Sequence, residues 1–366
     1  MSTPRLYCAP GKLHEILRNC YFVREQYSVP LWSRSAFAHT IGGYYMRGYM
    51  TANYRREIVQ LNDGGALGLD WFEGNPSQSD TNDIPVLLVL PGLTGSAKEP
   101  YVQNFIHKAH QLGFACVVMN NRGSGGVPLQ TTQICCATFT DDLAAVVRHI
   151  KECYPSSPVV ATGFSLGGII LFTYLSKCGK AGADPLICAA FVVSSPWNPN
   201  EDTKSLERLP YRLINNHLAH QMCNNIRPMR HIFDGLVDFD NVLKSKIIRD
   251  FDERFTVPMV GYDSVYEYYH DAAMCNRIHD VPIPTLCLHA ADDFFAPPTS
   301  IPFDEIQKSA NVALVMTSYG GHLGFLKKIN KNNHRDDKFS DCETLVEQAF
   351  TEFMPAAVQE FRSDRK

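Results

Sequence analysis

From Pro85 onward the chain alternates two hydrophobic patterns. Continuous apolar runs at 86–90, 114–119, 158–163, 187–194, 284–289 and 312–318 read as strands buried on both faces. Between them, apolar positions recur at helical spacing. Residues 101–112 set Val102, Phe105, Ile106, Ala109 and Leu112 on one face, and Gly113 follows as a stop. Residues 141–150 do the same with Leu143, Val146, Val147 and Ile150, and further helices are predicted at 166–177 and 343–353. Alternation of this kind predicts an α/β fold: a mostly parallel central sheet with helices on both faces. Upstream, 56–61 and 67–72 predict two short strands, joined by the turn Asn62-Asp63-Gly64-Gly65.

Two segments depart from the alternation. Residues 1–54 are aromatic and irregular, and predict an N-terminal arm packed on the body. Residues 196–280 are polar-helical with an aromatic cluster at Tyr266, Tyr268 and Tyr269, and lie between two sheet strands. They predict a helical cap, with 55–195 and 281–366 as the two parts of the core.

The segment Gly163-Phe164-Ser165-Leu166-Gly167-Gly168 matches G-x-S-x-G where a strand runs into a helix. Such a turn exposes a serine hydroxyl from a strained backbone, and its glycines leave room for the adjacent elements. Ser165 is therefore the candidate nucleophile. A partner acid and base should follow in that order. The base candidate is His322 in Gly320-Gly321-His322-Leu323-Gly324, just past the last strand. The acid lies in His289-Ala290-Ala291-Asp292-Asp293-Phe294-Phe295-Ala296-Pro297, also just past a strand. Asp293 is preferred to Asp292 because it stands four residues before Pro297, a spacing that suits the loop's return to the sheet. Both loops leave the carboxyl ends of parallel strands, where sites form in such sheets.

An oxyanion hole needs two converging N–H groups. Leu166, next to the serine, supplies one, and Leu93 in the loop Pro91-Gly92-Leu93-Thr94-Gly95 supplies the other. The rings of Trp197, Phe294 and Phe295, with Tyr266, Tyr268 and Tyr269, read as a mixture of cap core and substrate-binding wall, the first three being the candidate substrate-binding residues. Arg122, in Asn121-Arg122-Gly123-Ser124-Gly125-Gly126, reads as a pin between loops, since the phosphate-binding glycine patterns are missing. His217, His220 and Cys223 share a helix spacing but lack a fourth ligand, so no metal and no cofactor is expected.

Composition narrows the classes further. The 366 residues are 45% hydrophobic and 20% charged, with a net charge of −4, which excludes a disordered chain or a coiled coil. A basic excess is missing, so no nucleic-acid partner is expected. Twelve cysteines without a CxxC pair suggest free thiols in a reducing compartment. The opening residues lack the apolar stretch of a signal peptide, and no uncharged apolar run is long enough to span a bilayer. An intracellular protein is expected, cytoplasmic or peripheral to a membrane.

Taken together, the Asp63-Gly64-Gly65 turn with Leu69-Asp70-Trp71, the PGLTG loop, the NNRGSGG loop, GFSLGG, the Asp292-Asp293 loop and GGHLGF resemble a known family. It is that of the alpha/beta-hydrolase-domain-containing lipases related to the bacterial YheT-like esterases, with the animal phospholipase-like branch most similar. The resemblance runs from about residue 20 onward. It implies an alpha/beta-hydrolase fold with a helical cap, the triad Ser165, Asp293 and His322, and acyl esters or phospholipids as substrates. Medium-chain phospholipids in animals and medium-chain ethyl esters in yeast relatives are the family's examples. Many animal relatives carry an N-terminal membrane anchor; none is seen in this sequence, which leaves membrane attachment open, and peripheral membrane contact is the expectation. Pro91-Gly92 stands where other hydrolases of the fold have His-Gly. The expected activity is hydrolysis of lipid acyl esters through an acyl-enzyme. Transfer of the acyl group to an alcohol, or a catalytically silent lipid-binding scaffold, are the alternatives; no H-x-x-x-x-D acyltransferase motif follows His322.

Overall fold

The computed structural model describes residues 2–46, 50–74, 83–328 and 344–364. The strands are β1 Arg5–Tyr7, β2 Tyr54–Gln60, β3 Ala66–Phe72, β4 Val86–Leu90, β5 Ala115–Asn120, β6 Val159–Phe164, β7 Ala189–Val193, β8 Thr285–Ala290 and β9 Val312–Thr317. They form a nine-stranded sheet in the order β1-β9-β8-β7-β6-β4-β5-β3-β2. The six strands from β5 to β9 in that order pair parallel, and β1, β2 and β3 pair antiparallel at the edges.

Pleating explains why the central strands read as unbroken apolar runs. In β4, Val86, Leu88 and Leu90 face one core cluster while Leu87 and Val89 face another, across the sheet. The first cluster is closed by α5 (Asp141–Cys153) and α6 (Leu166–Ala181). The second is closed by α1 (Lys12–Asn19), α4 (Pro100–Gln111) and the helix Leu345–Asp364. On that side Phe105 of α4 meets Phe164 and Phe350 edge to face, with centroids at 5.2 and 4.8 Å. Such pairs add about 0.5–1.5 kcal/mol each beyond area burial, and these brace the strand that carries Ser165.

The last helix differs from its expected span. Residue 343, with Cys342, lies outside the described residues, and the helix continues through Pro355 to Asp364. A proline removes one helical donor. Ala357 and Val358 stay buried beyond it, so packing carries the helix on.

The first 46 residues contribute more than an irregular arm. β1 extends the sheet, with Leu6 opposite Val315 of β9. The short α2 (Tyr21–Arg24) docks on the C-terminal helix, where the Phe22 N–H donates to Glu352. α3 (Ala36–Met46) lies against the loop after β9. Three strand residues are too few to display an alternating pattern, which is why β1 left no trace in the sequence.

Between β7 and β8 the chain forms α7 (Pro199–Leu206), α8 (Arg212–Ile226), the helix Val265–Asp271 and several single turns. Phe233, Phe239, Val242, Phe251 and Phe255 give this segment a small core of its own, shared with Leu129 and Ile134 of the body. Among the described residues, no helix is long and apolar enough to cross a membrane. The eleven described cysteines are free thiols.

Candidate active site

The turn between β6 and α6 sets Ser165 at φ 51° and ψ −115°, a conformation that L residues rarely adopt. Its neighbours show why glycine is required there. A Cβ on Gly163 would lie 2.5 Å from Gly167 O, one on Gly167 would lie 2.3 Å from Leu90 O, and one on Gly168 would lie 1.9 Å from Ser195 Oγ. The turn is held from β7: Ser165 N–H donates to Val193 O at 2.9 Å, and Ser195 Oγ donates to Ser165 O at 2.8 Å.

The loops after β8 and β9 converge on this serine. Ser165 Oγ and His322 Nε2 are 3.0 Å apart, and His322 Nδ1 lies 3.0 and 3.2 Å from the two Asp293 oxygens. In the tautomer that donates from Nδ1 to Asp293, Nε2 is left to accept the serine proton. Asp293 is fully buried, and its Oδ1 also accepts the Phe295 N–H at 2.9 Å. The Phe295 ring stacks on the imidazole at 3.9 Å.

Asp292 faces the other way and accepts the Gly321 N–H at 2.8 Å. Burial raises its carboxyl from 3.8 to about 6. It thus shapes the histidine loop from beneath, while its neighbour meets the ring. His289 lies close by, bonded to Ala296 O at 2.8 Å, and burial lowers its pKa.

Leu166 is the first residue of α6 and has no carbonyl one turn back for its N–H. The loop after β4 passes beside it. Gly92 N–H donates to Tyr101 Oη at 2.9 Å, and a Cβ at Gly92 would come within 3.3 Å of Ser165 Cβ. Among the described residues no hydrogen bond engages the Leu93 N–H. Asn120 accepts the Ala97 N–H at 3.0 Å and so ties the far end of this loop to β5.

These groups open on a cavity of about 830 Å³. Its wall is mainly apolar and includes Leu206, Ile214, Met222, Phe251 and Phe255 from the segment between β7 and β8. Phe295, Tyr268 and Tyr269 also line it. Trp197 and Phe294, expected in the wall, are placed elsewhere. Trp197 is buried against Phe172 at 6.1 Å, and Phe294 stacks on Tyr211 at 4.4 Å. The two adjacent rings pack on each other at 5.0 Å, with Phe295 on the cavity side and Phe294 against Tyr211.

Arg122 bonds Asp142 at the start of α5 through Nε and Nη2, both at 2.6 Å, and Asp63 of the β2–β3 turn through Nη1 at 2.6 Å. Its charge is consumed by these two carboxylates. His217 and Cys223 do not assemble a metal site: His217 bonds Gln221 at 2.8 Å, and the Cys223 thiol donates to Val242 O. Among the described residues no group of three or more His, Cys, Asp or Glu side chains is arranged to hold a metal.

Sequence reasoning missed Thr40. Its Oγ1 accepts the His322 N–H at 2.8 Å, although the two residues lie 282 positions apart. Ser194 was missed as well; its Oγ accepts the Leu323 N–H at 3.2 Å. Neither residue stands in a recognisable motif.

A serine on a strand-to-helix turn at the carboxyl edge of a parallel sheet, facing loops from two later strands, defines an alpha/beta hydrolase, and the chain belongs to that family. Residues 85–219 match the family model described as the alpha/beta hydrolase fold. Among individual relatives, a Mus musculus protein named Phospholipase ABHD3 is 39% identical over 93% of this chain and 81% of its own length. The putative esterase YheT of Escherichia coli is 31% identical over 73% of this chain and 77% of its own. A Saccharomyces cerevisiae monoacylglycerol lipase is 29% identical over 69% of this chain and 57% of its own.

Proposed function

We propose that the protein hydrolyses carboxylic acyl esters of lipids, of phospholipid or medium-chain ester type, with Ser165, His322 and Asp293 as its triad. The chain is a carboxylic ester hydrolase by family; the triad and the substrate class are the proposal. The observation that carries it is the Ser165–His322–Asp293 hydrogen-bonded chain, with its 3.0 Å contacts, at the wall of an apolar cavity.

His322 Nε2 takes the Ser165 proton as Oγ attacks the ester carbonyl. Asp293 holds the ring orientation and stabilises the imidazolium. The Leu93 and Leu166 N–H groups receive the oxyanion. His322 then gives its proton to the departing alcohol. A water, deprotonated by His322, releases the acyl group as the free acid and restores the serine. The cavity takes the acyl chain, with Phe295 beside the reacting atoms.

Contact with a lipid surface belongs to the same proposal. Ile41, Tyr44 and Tyr45 of α3 line the cavity while remaining exposed, so an apolar rim surrounds its mouth. The silent-scaffold alternative is disfavoured by an unobstructed serine within hydrogen-bond reach of a histidine.

Ser165→Ala tests the reading. The variant should fold as the wild type does and lose both ester hydrolysis and labelling by a fluorophosphonate. Labelling that persists at another serine would reassign the nucleophile.

A further inference from the structure

Helix α3 touches the histidine loop along one whole face. Thr40 Oγ1 donates to Ala36 O at 2.9 Å within the helix and accepts the His322 N–H at 2.8 Å. One turn on, a Cβ at Gly43 would lie 2.6 Å from Gly324 Cα, so helix and loop meet backbone to backbone. From the loop side, a Cβ at Gly324 would lie 2.6 Å from His39 O, and one at Gly321 would lie 2.7 Å from Ala36 O. His39 Nε2 accepts the Leu326 N–H at 2.7 Å.

The loop needs such support. Gly321, Leu323 and Phe325 all have positive φ, at 55°, 63° and 46°. Non-glycine residues in this region are strained and persist only where surrounding contacts over-determine them. The β9 strand ends at Thr317, so no sheet ladder fixes residues 321–325. Fixed hydrogen bonds come instead from Thr40 and His39 in α3, from Ser194 after β7 and from Asp292.

We propose that α3 is a positioning element of the active site, in which the Thr40 hydroxyl anchors the His322 backbone N–H and thereby sets the reach of Nε2 to Ser165. The proposal rests on the reading of His322 as the general base. Thr40 acts through the histidine and touches no reacting atom. The N-terminal segment is on this view a working part of the hydrolase.

Thr40→Val keeps the shape and removes the acceptor, so the His322 N–H is left buried without a partner. A displacement of the imidazole by about 1 Å is enough to slow the chemistry on the order of 10²-fold. The expected result is a loss of about 10- to 100-fold in kcat at nearly unchanged KM, with the same loss in the rate of fluorophosphonate labelling. Thr40→Ser, which keeps the hydroxyl, should restore both towards wild type. Gly43→Ala is the second probe, because its added methyl separates helix and loop without altering Thr40; it should reproduce the kcat loss. It also stands in if Thr40→Val does not fold. Labelling of His322→Ala runs alongside. If that variant labels as fast as wild type, the triad reading fails. If it is dead while Thr40→Val or Gly43→Ala turns over normally, or if Thr40→Ser is as slow as Thr40→Val, the role of α3 is refuted and the triad stands.

Discussion

Two adjacent aspartates after β8 give opposite predictions when each is changed to asparagine. Asp293→Asn removes the charge 3.0 Å from His322 Nδ1. The new amide can donate to Nδ1 and favours the tautomer that carries its proton on Nε2, which cannot accept from Ser165. Turnover should fall roughly 10³–10⁴-fold, the size of the effect when an orienting carboxylate is neutralised in a serine triad. Asp292→Asn keeps the oxygen that accepts the Gly321 N–H at 2.8 Å, so activity should stay within a few-fold of wild type. Its effect should appear in stability. Burial raises the Asp292 carboxyl from 3.8 to about 6, so the folded protein disfavours its charged form. Below pH 3.8 the residue is protonated in both states and adds no penalty. As pH rises from 3.8 to about 6 the unfolded state ionises first and stability falls, and above about 6 the penalty is constant. The span of about two pH units corresponds to roughly 3 kcal/mol at neutral pH. Asp292→Asn should therefore be more stable than wild type at pH 7 by up to about that amount, and the gain should vanish towards pH 4. Urea unfolding at the two pH values, with kinetics on a p-nitrophenyl ester, measures both halves. An Asp292→Asn enzyme as slow as Asp293→Asn, or one whose stability gain is larger at pH 4, would refute the assignment.

Acyl length supplies another test. Each methylene buried in the cavity should raise kcat/KM roughly fourfold, from about 0.8 kcal/mol of transfer free energy, until the cavity is full. A series of p-nitrophenyl esters from acetyl to dodecanoyl, kept below the micelle threshold, should rise and then fall beyond a medium chain; a flat series would exclude an acyl-binding cavity. At the elbow, Gly167→Ala puts a methyl group 2.3 Å from Leu90 O. That variant should lose fluorophosphonate labelling, and wild-type labelling would mean that the turn is looser than its geometry states.

Much of this architecture was legible because burial on both faces leaves a strand no freedom of composition. The runs around Val86, Cys116 and Val160 could hardly be anything else, and the G-x-S-x-G turn is dictated by backbone approach at Gly163 and Gly167. Asp293, and not Asp292, contacts the His322 ring, and the spacing to Pro297 carries no direct information about that ring. Other features depend on tertiary contacts that leave no local pattern. Trp197 and Phe294 look like channel aromatics in sequence and are core aromatics in space. A threonine in a helix is unremarkable until a loop 282 residues away donates to it.

The pairing of β1 with β9 imposes an order in time. Residues 5–7 are synthesised before their partners at 314–316, which arrive after some three hundred further residues. At about 5–20 residues per second the wait is roughly 15–60 s. Through that interval α1, whose apolar face packs on β9 and the C-terminal helix in the folded protein, has neither of them to pack on. Ser165 is synthesised 157 residues before His322, so the 3.0 Å contact between them can form only after that stretch has been made. An enzyme directed at lipids would thus remain silent until its own synthesis was nearly done.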